Sequence, residues 1–288
     1  MIKKGIILAG GLGTRMSPLT KSVNKQLLPL YDKPLIFYPL SVLMLAGIKN
    51  ILIIVNKGQL VEFKKILPEK NNLGIKIRYL EQDKPRGLPD AFIIGEKFIS
   101  KDNVALILGD NFFHGQNLTN KLKKSVQLSQ GAQVFLHPVK NPSAYGVATF
   151  KNDKILKIVE KPKNPKSNFA VTGLYFFDNK VVNLSKKLKP SKRKEIEITD
   201  LLNKYLKQKK LKAEFIGRGG SWLDAGSISD FYKASNYVGA VENRQGLKIA
   251  CLEEIAFNKK WISRKNIIEA IKFYGKCEYS KYLKDLIK

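Results

Sequence analysis

The stretch Gly5-Ile6-Ile7-Leu8-Ala9-Gly10-Gly11-Leu12-Gly13-Thr14-Arg15 sets a short apolar run directly against a glycine-rich turn. Short apolar runs bounded by turn residues read as buried strands. Glycines just after a strand let backbone N–H groups approach a chain of phosphates, because no Cβ intervenes and φ can be positive. The turn is not a dinucleotide fingerprint: Gly11-Leu12-Gly13-Thr14-Arg15-Met16 lacks the last glycine of G-x-G-x-x-G. It is not a P-loop either, since no Gly-Lys-Ser/Thr closes it. Taken alone, it is equally well a tight connection between a strand and a helix.

Outward from this stretch the alternation continues. Residues 50–55, 75–80 and 104–109 read as further buried strands. Residues 34–46 (closed by Gly47), 60–67 and 88–98 (Pro89 in its first turn) read as helices. This alternation predicts an α/β fold, a Rossmann-like mixed and mostly parallel sheet flanked by helices. Residues 133–139, 145–150, 155–159, 169–177 and 211–216 add β patterns, with a helix over 198–206. From Ser227 the chain reads as helical to its end, without a Pro/Gly/Ser linker, a repeat or a low-complexity tract. The expected organisation is an α/β core over 1–226, with nucleotide and sugar-phosphate subdomains, and a helical segment over 227–288 packed on it.

Composition narrows the function classes. With 44% hydrophobic and 26% charged residues, the 288-residue chain can fill a sizeable core. No apolar run approaches the roughly 20 residues of a membrane span, and the first apolar stretch is too short for a signal peptide. Cys251 and Cys277 alone cannot build a disulfide framework, so a cytoplasmic location and no membrane partner are expected. His114 and His137 are the only histidines, which argues against a histidine-rich metal site or a Ser-His-Asp triad. The net charge of +28 is nearly all lysine, scattered in ones and twos. Without an arginine stripe, an aromatic-interleaved patch or zinc-finger spacing, it predicts a solvated surface and not a specific nucleic-acid reader.

Beyond the turn, Arg15, Pro18, Thr20, Lys25, Gln26 and Pro29 extend the pattern to Gly-x-Gly-Thr-Arg-x-x-Pro-x-Thr-x4-Lys-Gln-Leu-Leu-Pro. Two cations thus stand beside a phosphate-sized concavity, as stabilisation of a polyphosphate leaving group requires. On this signature the chain resembles the sugar-nucleotide pyrophosphorylase family, in its thymidylyl-transferring branch. The likeness continues through Tyr31-Asp32-Lys33-Pro34-Leu35-Ile36, Leu43-Met44-Leu45-Ala46-Gly47-Ile48, Leu108-Gly109-Asp110-Asn111 and Tyr145-Gly146-Val147. Val159-Glu160-Lys161-Pro162, Val171-Thr172-Gly173-Leu174-Tyr175 and Glu197-Ile198-Thr199-Asp200 carry it further. Trp222-Leu223-Asp224-Ala225-Gly226, Arg244-Gln245-Gly246-Leu247-Lys248 and Glu253-Glu254-Ile255-Ala256 take it across nearly the whole chain. The resemblance implies Mg²⁺-dependent transfer of a thymidylyl group from dTTP to glucose 1-phosphate, the first step of dTDP-rhamnose and deoxysugar synthesis. It also implies a homo-oligomer, a tetramer, and feedback inhibition by a dTDP-sugar.

Asp110 ends a buried strand, where open α/β sheets place ligands. Magnesium takes one or two carboxylates plus phosphates and water. Either Asp110 or Asp224 alone reads equally as a turn or helix cap; the resemblance makes both of them metal ligands. A single lysine is usually solvated, yet the resemblance directs Lys161 and Arg193 at the sugar phosphate and Arg15 and Lys25 at the pyrophosphate. It implies nucleotide contacts from Leu8, Gly10, Gly11, Gly13, Thr14, Gln26, Gln82, Gly87 and Asp110, with Gln26, Gln82 and Gly87 reading the base. Sugar-phosphate contacts are implied for Asn111, Tyr145, Gly146, Glu160, Lys161, Val171, Thr172 and Arg193. Two positions depart from the family pattern: Pro89-Asp90 replaces Ala-Gln, placing an anion near the nucleotide pocket, and Ala225 replaces a threonine beside the metal carboxylate. The competing expectations are a uridylyltransferase or another hexose-1-phosphate enzyme, a non-catalytic nucleotide sensor, and a charge-driven nucleic-acid binder. The scattered lysines lead to a first prediction: DNA should bind weakly, without sequence preference, and fade as salt rises. A mobility-shift titration against salt with unrelated duplexes checks it, and a tight sequence-selective complex at physiological salt would contradict it.

Overall fold

The computed structural model describes residues 1–151 and 154–288. The chain runs from β1 (Lys4–Ala9) through two short paired segments, β2 (Pro29–Leu30) and β3 (Lys33–Pro34), to α1 (Phe37–Leu45). Then come β4 (Asn50–Asn56), α2 (Leu60–Ile66), β5 (Lys76–Gln82), α3 (Asp90–Ile94), α4 (Glu96–Ile99) and β6 (Val104–Leu108). The middle holds β7 (Asn111–Gly115), α5 (Leu118–Ser125), β8 (Ala132–Pro138), β9 (Gly146–Lys151), β10 (Lys154–Glu160) and β11 (Phe169–Phe177). After α6 (Val181–Lys186), α7 (Ile198–Lys207), β12 (Leu211–Phe215) and β13 (Gly220–Asp224), the chain is helical: α8 (Ile228–Gln245), α9 (Leu252–Asn258), α10 (Arg264–Tyr274) and α11 (Glu278–Leu286).

A nine-stranded sheet has the path β10-β9-β11-β6-β1-β4-β5, with β8 pairing β11 and β12 alongside it. β6, β1, β4 and β5 are parallel, and β11 turns antiparallel to β6, so the sheet is mixed as the alternation predicts. The central strands read as unbroken apolar runs because helices cover both faces. Ile7, Ile53 and Ile107 pack with Phe37, Leu40 and Leu43 of α1 and Leu252 of α9 on one face. Ile6, Leu52 and Leu106 pack with Phe92 of α3, Val181 of α6 and Leu201 and Tyr205 of α7 on the other.

Two expected helices differ in extent. The one over 34–46 begins only at Phe37, because Lys33 and Pro34 pair with Leu30 and Pro29. The one over 88–98 breaks into α3 and α4 at Gly95, where a Cβ would fall 3.1 Å from Ile6 and 3.2 Å from Leu52 side chains. The hairpin-like pair β7–β13 and the short helices α5 and α6 escape a periodicity reading because few residues carry each pattern.

The C-terminal helices tie back to the site-bearing loops. Ser227 caps α8, its hydroxyl oxygen accepting from the Asp230 N–H. Phe231, Ala234 and Val238 of α8 share a buried cluster with Met16, Leu30, Tyr38 and Phe112. Buried Glu253 of α9 accepts from Tyr274 at 2.9 Å and from Tyr279 at 2.6 Å, holding α10 and α11. Cys251 and Cys277 are unpaired, and among the described residues no helix is long and apolar enough to cross a membrane.

Candidate active site

Parallel pairing brings the carboxyl ends of β1 and β6 side by side, joined beyond the strands by the Gly109 N–H donating to the Leu8 carbonyl at 2.9 Å. The glycine turn leaves β1 there, and Asp110 leaves β6. Gly11 has φ of 113° and Gly13 of 61°, values that favour glycine. The Thr20 hydroxyl donates to the Gly13 carbonyl at 2.8 Å and pins the turn. Gly10 carries the amide of Gln82: a Cβ there would fall 1.8 Å from Gln82 Nε2. Leu8, Gly10, Gly11, Gly13, Thr14, Arg15, Lys25, Gln82, Gly87 and Asp110 all line one cavity of about 510 Å³.

Asp224, the last residue of β13, is brought to Asp110 by antiparallel pairing with β7, in which Asp224 stands opposite Asn111. The Ala225 N–H donates to the Asp110 carbonyl at 3.0 Å. Burial and the facing Asp110 carboxylate push Asp224 up to about 7, against the pull of Lys25 and Arg15. Burial also opposes ionisation of Asp110, but Lys25, paired directly with its Oδ2, holds it below the usual carboxylate range. A Cβ at Gly226 would fall 2.7 Å from Arg15 Nη2 and 3.0 Å from Asp224 Oδ1, so glycine makes room where that guanidinium meets the pair. Asn111 braces the pair. Its Oδ1 accepts from Trp222 Nε1 at 2.6 Å and from the Gly173 N–H at 3.0 Å, and its Nδ2 donates to Asp110 Oδ1 at 3.0 Å.

A second cavity of about 160 Å³ opens on the other side of Asp224. Arg15, Glu160, Lys161 and Asp224 belong to both walls, while Asn111, Tyr145, Gly146 and Val171 line this one. Lys161 has φ of 41°, held by its N–H donating to the Tyr145 carbonyl at 3.0 Å, at the turn after β10. Arg193, expected at the sugar phosphate, lines the first cavity and not this second one, among three carboxylates at 3.4 Å from Glu160, 3.2 Å from Glu195 and 3.5 Å from Glu197. Burial and the neighbouring Glu197 push Glu160 upward, against Arg193 and Lys161. Chemically, the cleft can seat two anionic molecules on either side of a carboxylate pair, with four cations distributed along it.

Two expected contacts lie outside both walls. Thr172 is fully buried, its hydroxyl donating to the Phe135 carbonyl at 2.9 Å, because strand alternation turns it into the sheet while Val171 and Gly173 face the cavity. Gln26 is buried beneath Gly109, and its Oε1 has no hydrogen-bond partner among the described residues. Asp90 is buried in the first turn of α3 and lines neither cavity; burial pushes its carboxyl up, opposed by Arg86. Ala225 belongs to the apolar cluster of Met16, Phe112 and Phe231, so packing accounts for its methyl group. The sequence signal passed over Leu88, Leu108, Ile198, Thr199, Tyr175 and Trp222 in the walls. Thr199 and Trp222 stand inside blocks already singled out for their neighbours; the apolar ones look like core.

A family model described as nucleotidyl transferase matches residues 4–240. The chain is 50% identical over 286 residues to a glucose-1-phosphate thymidylyltransferase of Neisseria meningitidis, covering 99% of each chain. It is 45% identical to the same-named protein of Mycobacterium tuberculosis, again over 99% of each. Its fold superposes on a solved UDP-glucose pyrophosphorylase bound to UDP-glucose with a TM-score of 0.73 at 29% identity, covering 85% of this chain and all of that one.

The glycine geometry separates fold from site. At Gly87, with φ of 115°, a Cβ would fall 2.1 Å from the Ile196 carbonyl oxygen, a backbone atom that cannot swing aside. Gly87→Ala is therefore expected to destabilise by roughly 1–3 kcal/mol. Gly10→Ala meets only the end of a flexible side chain and should stay within about 1 kcal/mol of wild type. Urea unfolding of the two variants checks the contrast.

Proposed function

The chain belongs to the nucleotidyl transferase family, and on that premise we propose that it transfers a thymidylyl group from dTTP to glucose 1-phosphate, releasing pyrophosphate. The observation that carries this is the carboxylate pair Asp110–Asp224, standing where a glycine-lined cavity meets one lined by Glu160, Lys161 and Tyr145. The names of its relatives support the same substrates.

The donor set fits Mg²⁺: two carboxylates, Asp110 from the turn after β6 and Asp224 from the end of β13, the second pushed up by burial and by facing the first, form a site that a hard cation relieves. Asp110 and Asp224 would hold it, and when bound it supplies neutralisation of phosphate charge. The chain's own residues supply position. A phosphate oxygen of glucose 1-phosphate forms a bond to the α-phosphorus of dTTP as the bond from that phosphorus to the β-phosphate oxygen breaks. Lys161 and Arg193 aim the nucleophile, and Arg15 and Lys25 take up the charge of the departing pyrophosphate. The nucleophile is already an anion, so no general base is required. Lys25, paired with Asp110, exchanges that partner for phosphate as the nucleotide binds. Gln82 lines the first cavity and supports the placing of the base there, while Gln26 lies buried outside its wall. Regulation by a dTDP-sugar, a tetrameric assembly and a cytoplasmic location follow from the family likeness as part of the same proposal.

Pyrophosphate release over a matrix of dTTP, UTP, ATP and GTP against glucose 1-phosphate and other hexose 1-phosphates tests the assignment. dTTP with glucose 1-phosphate should give the highest kcat/KM, with UTP accepted appreciably, since one methyl group separates the bases by only about 1 kcal/mol. A preference for ATP would refute it. Asp110→Asn and Asp224→Asn should each lower turnover by about 10² to 10³ or more while leaving thermal unfolding close to wild type. Near-normal Mg²⁺-dependent turnover in either variant would remove that residue from the metal site.

A further inference from the structure

Asn56 ends β4 and lines neither cavity, yet its side chain touches both elements that frame the nucleotide end. Its Oδ1 accepts from the Gly11 N–H at 3.0 Å, and its Nδ2 donates to the Gly11 carbonyl at 2.9 Å. A backbone N–H can only donate and a carbonyl can only accept, so this double bond leaves Asn56 a single amide orientation. Gln82, last residue of the adjacent strand β5, stands opposite Asn56 in the parallel register. Its amide nitrogen lies 3.1 Å from Asn56 Oδ1. Because that oxygen is an acceptor, Gln82 must turn its NH₂ towards it. One Nε2 hydrogen is thereby spent, and Oε1 with the second hydrogen is left in a fixed order along the cavity wall.

We propose that Asn56 is a specificity-determining positioning residue: by locking the Gln82 amide, it makes the pocket read the donor–acceptor order of the pyrimidine edge. This rests on the reading that the base lies against Gln82. Thymine and uracil offer a ring N–H beside a carbonyl oxygen. The locked glutamine accepts from the first and donates to the second. Cytosine offers a ring lone pair beside an amino group, the reverse order, which sets acceptor against acceptor and donor against donor. Matching cytosine requires Gln82 to turn over, which breaks its bond to Asn56 and sets Oε1 against Asn56 Oδ1. Asn56 thus selects against cytosine without touching it, and it does nothing to separate thymine from uracil, whose order is the same.

The test is kcat/KM for dTTP, UTP and dCTP with glucose 1-phosphate in wild type, Asn56→Ala, Asn56→Asp and Gln82→Ala. Asn56→Ala should narrow the dTTP-to-dCTP ratio by about tenfold or more, with the dTTP-to-UTP ratio within about twofold of wild type. Asn56→Asp keeps an acceptor for both Gly11 and Gln82, so it should retain the wild-type dTTP-to-dCTP ratio even if turnover falls with every nucleotide. A loosened glycine turn would slow all three nucleotides alike and leave the ratios in place. An unchanged dTTP-to-dCTP ratio in Asn56→Ala, or the same narrowing in Asn56→Asp, overturns the proposal. Gln82→Ala separates the two levels. If it retains the wild-type base preference, the base does not lie against Gln82 and the underlying reading fails. If it narrows the ratio where Asn56→Ala does not, only the role of Asn56 is lost.

Discussion

The meeting of Asp110 with Asp224 is the constraint around which the cleft is arranged. Two carboxylates brought together out of water repel, and burial together with the facing Asp110 pushes Asp224 upward. Such a pair is poor evidence of stability, since apolar replacements commonly hold a fold as well or better. What keeps it in place is a set of contacts from several elements. The β7–β13 pairing sets Asp224 opposite Asn111, and the Ala225 N–H holds the Asp110 backbone. Lys25 and Arg15 supply opposing charge from the segment that follows the glycine turn. That segment is itself held by α8 through the cluster of Met16, Leu30, Tyr38 and Phe231, so α8 braces the site without lining either cavity.

Charge along the cleft is balanced locally, although the chain carries +28 overall. Arg193 is enclosed by Glu160, Glu195 and Glu197, and Lys25 is paired with Asp110. A phosphate entering either end therefore competes with a carboxylate for its cation. On the proposed reading, the displaced carboxylates would find replacements, sugar hydroxyls for Glu160 and a metal ion for Asp110, which lowers the cost of the exchange. The surface lysines contribute to long-range attraction of anions, but the short-range geometry belongs to these few paired groups.

Much of this was legible in the sequence where the signal is local. A strand followed by glycines, a strand ending in Asp110, and the motif around Lys161 each depend on neighbours a few residues away, and the cavity walls contain them. Signals failed where orientation depends on the sheet. Thr172 sits in a motif of site residues, yet the period of two along β11 turns its hydroxyl inward to Phe135 while Val171 and Gly173 face out. Gly95 looks like a tolerable residue inside a helix, and only the approach of Ile6 and Leu52 beneath it shows why no side chain stands there. Asn56 carried no signal at all. A single asparagine at a strand end is ordinary, and its meaning lies in partners that the parallel register brings to it.

Asn56 and Asn111 share a physical logic. Each is an amide next to a strand terminus, each bonds a backbone group whose polarity cannot change, and each passes that polarity to a residue facing the cleft. For Asn111 the fixed donors are the Gly173 N–H and the Trp222 indole, and the recipient is Asp110; for Asn56 the fixed groups are the Gly11 N–H as donor and the Gly11 carbonyl as acceptor, and the recipient is Gln82. Phosphoryl transfer leaves a protein little to do except hold charged groups in place. Side-chain amides can flip at low cost in solution, so their use in such a site demands that the flip be suppressed. A parallel sheet does this economically: its strands end together, and each end offers backbone N–H and C=O groups of known direction to the side chains of the next. The candidate cleft lies at the carboxyl ends of β1, β5 and β6, where such fixed directions meet.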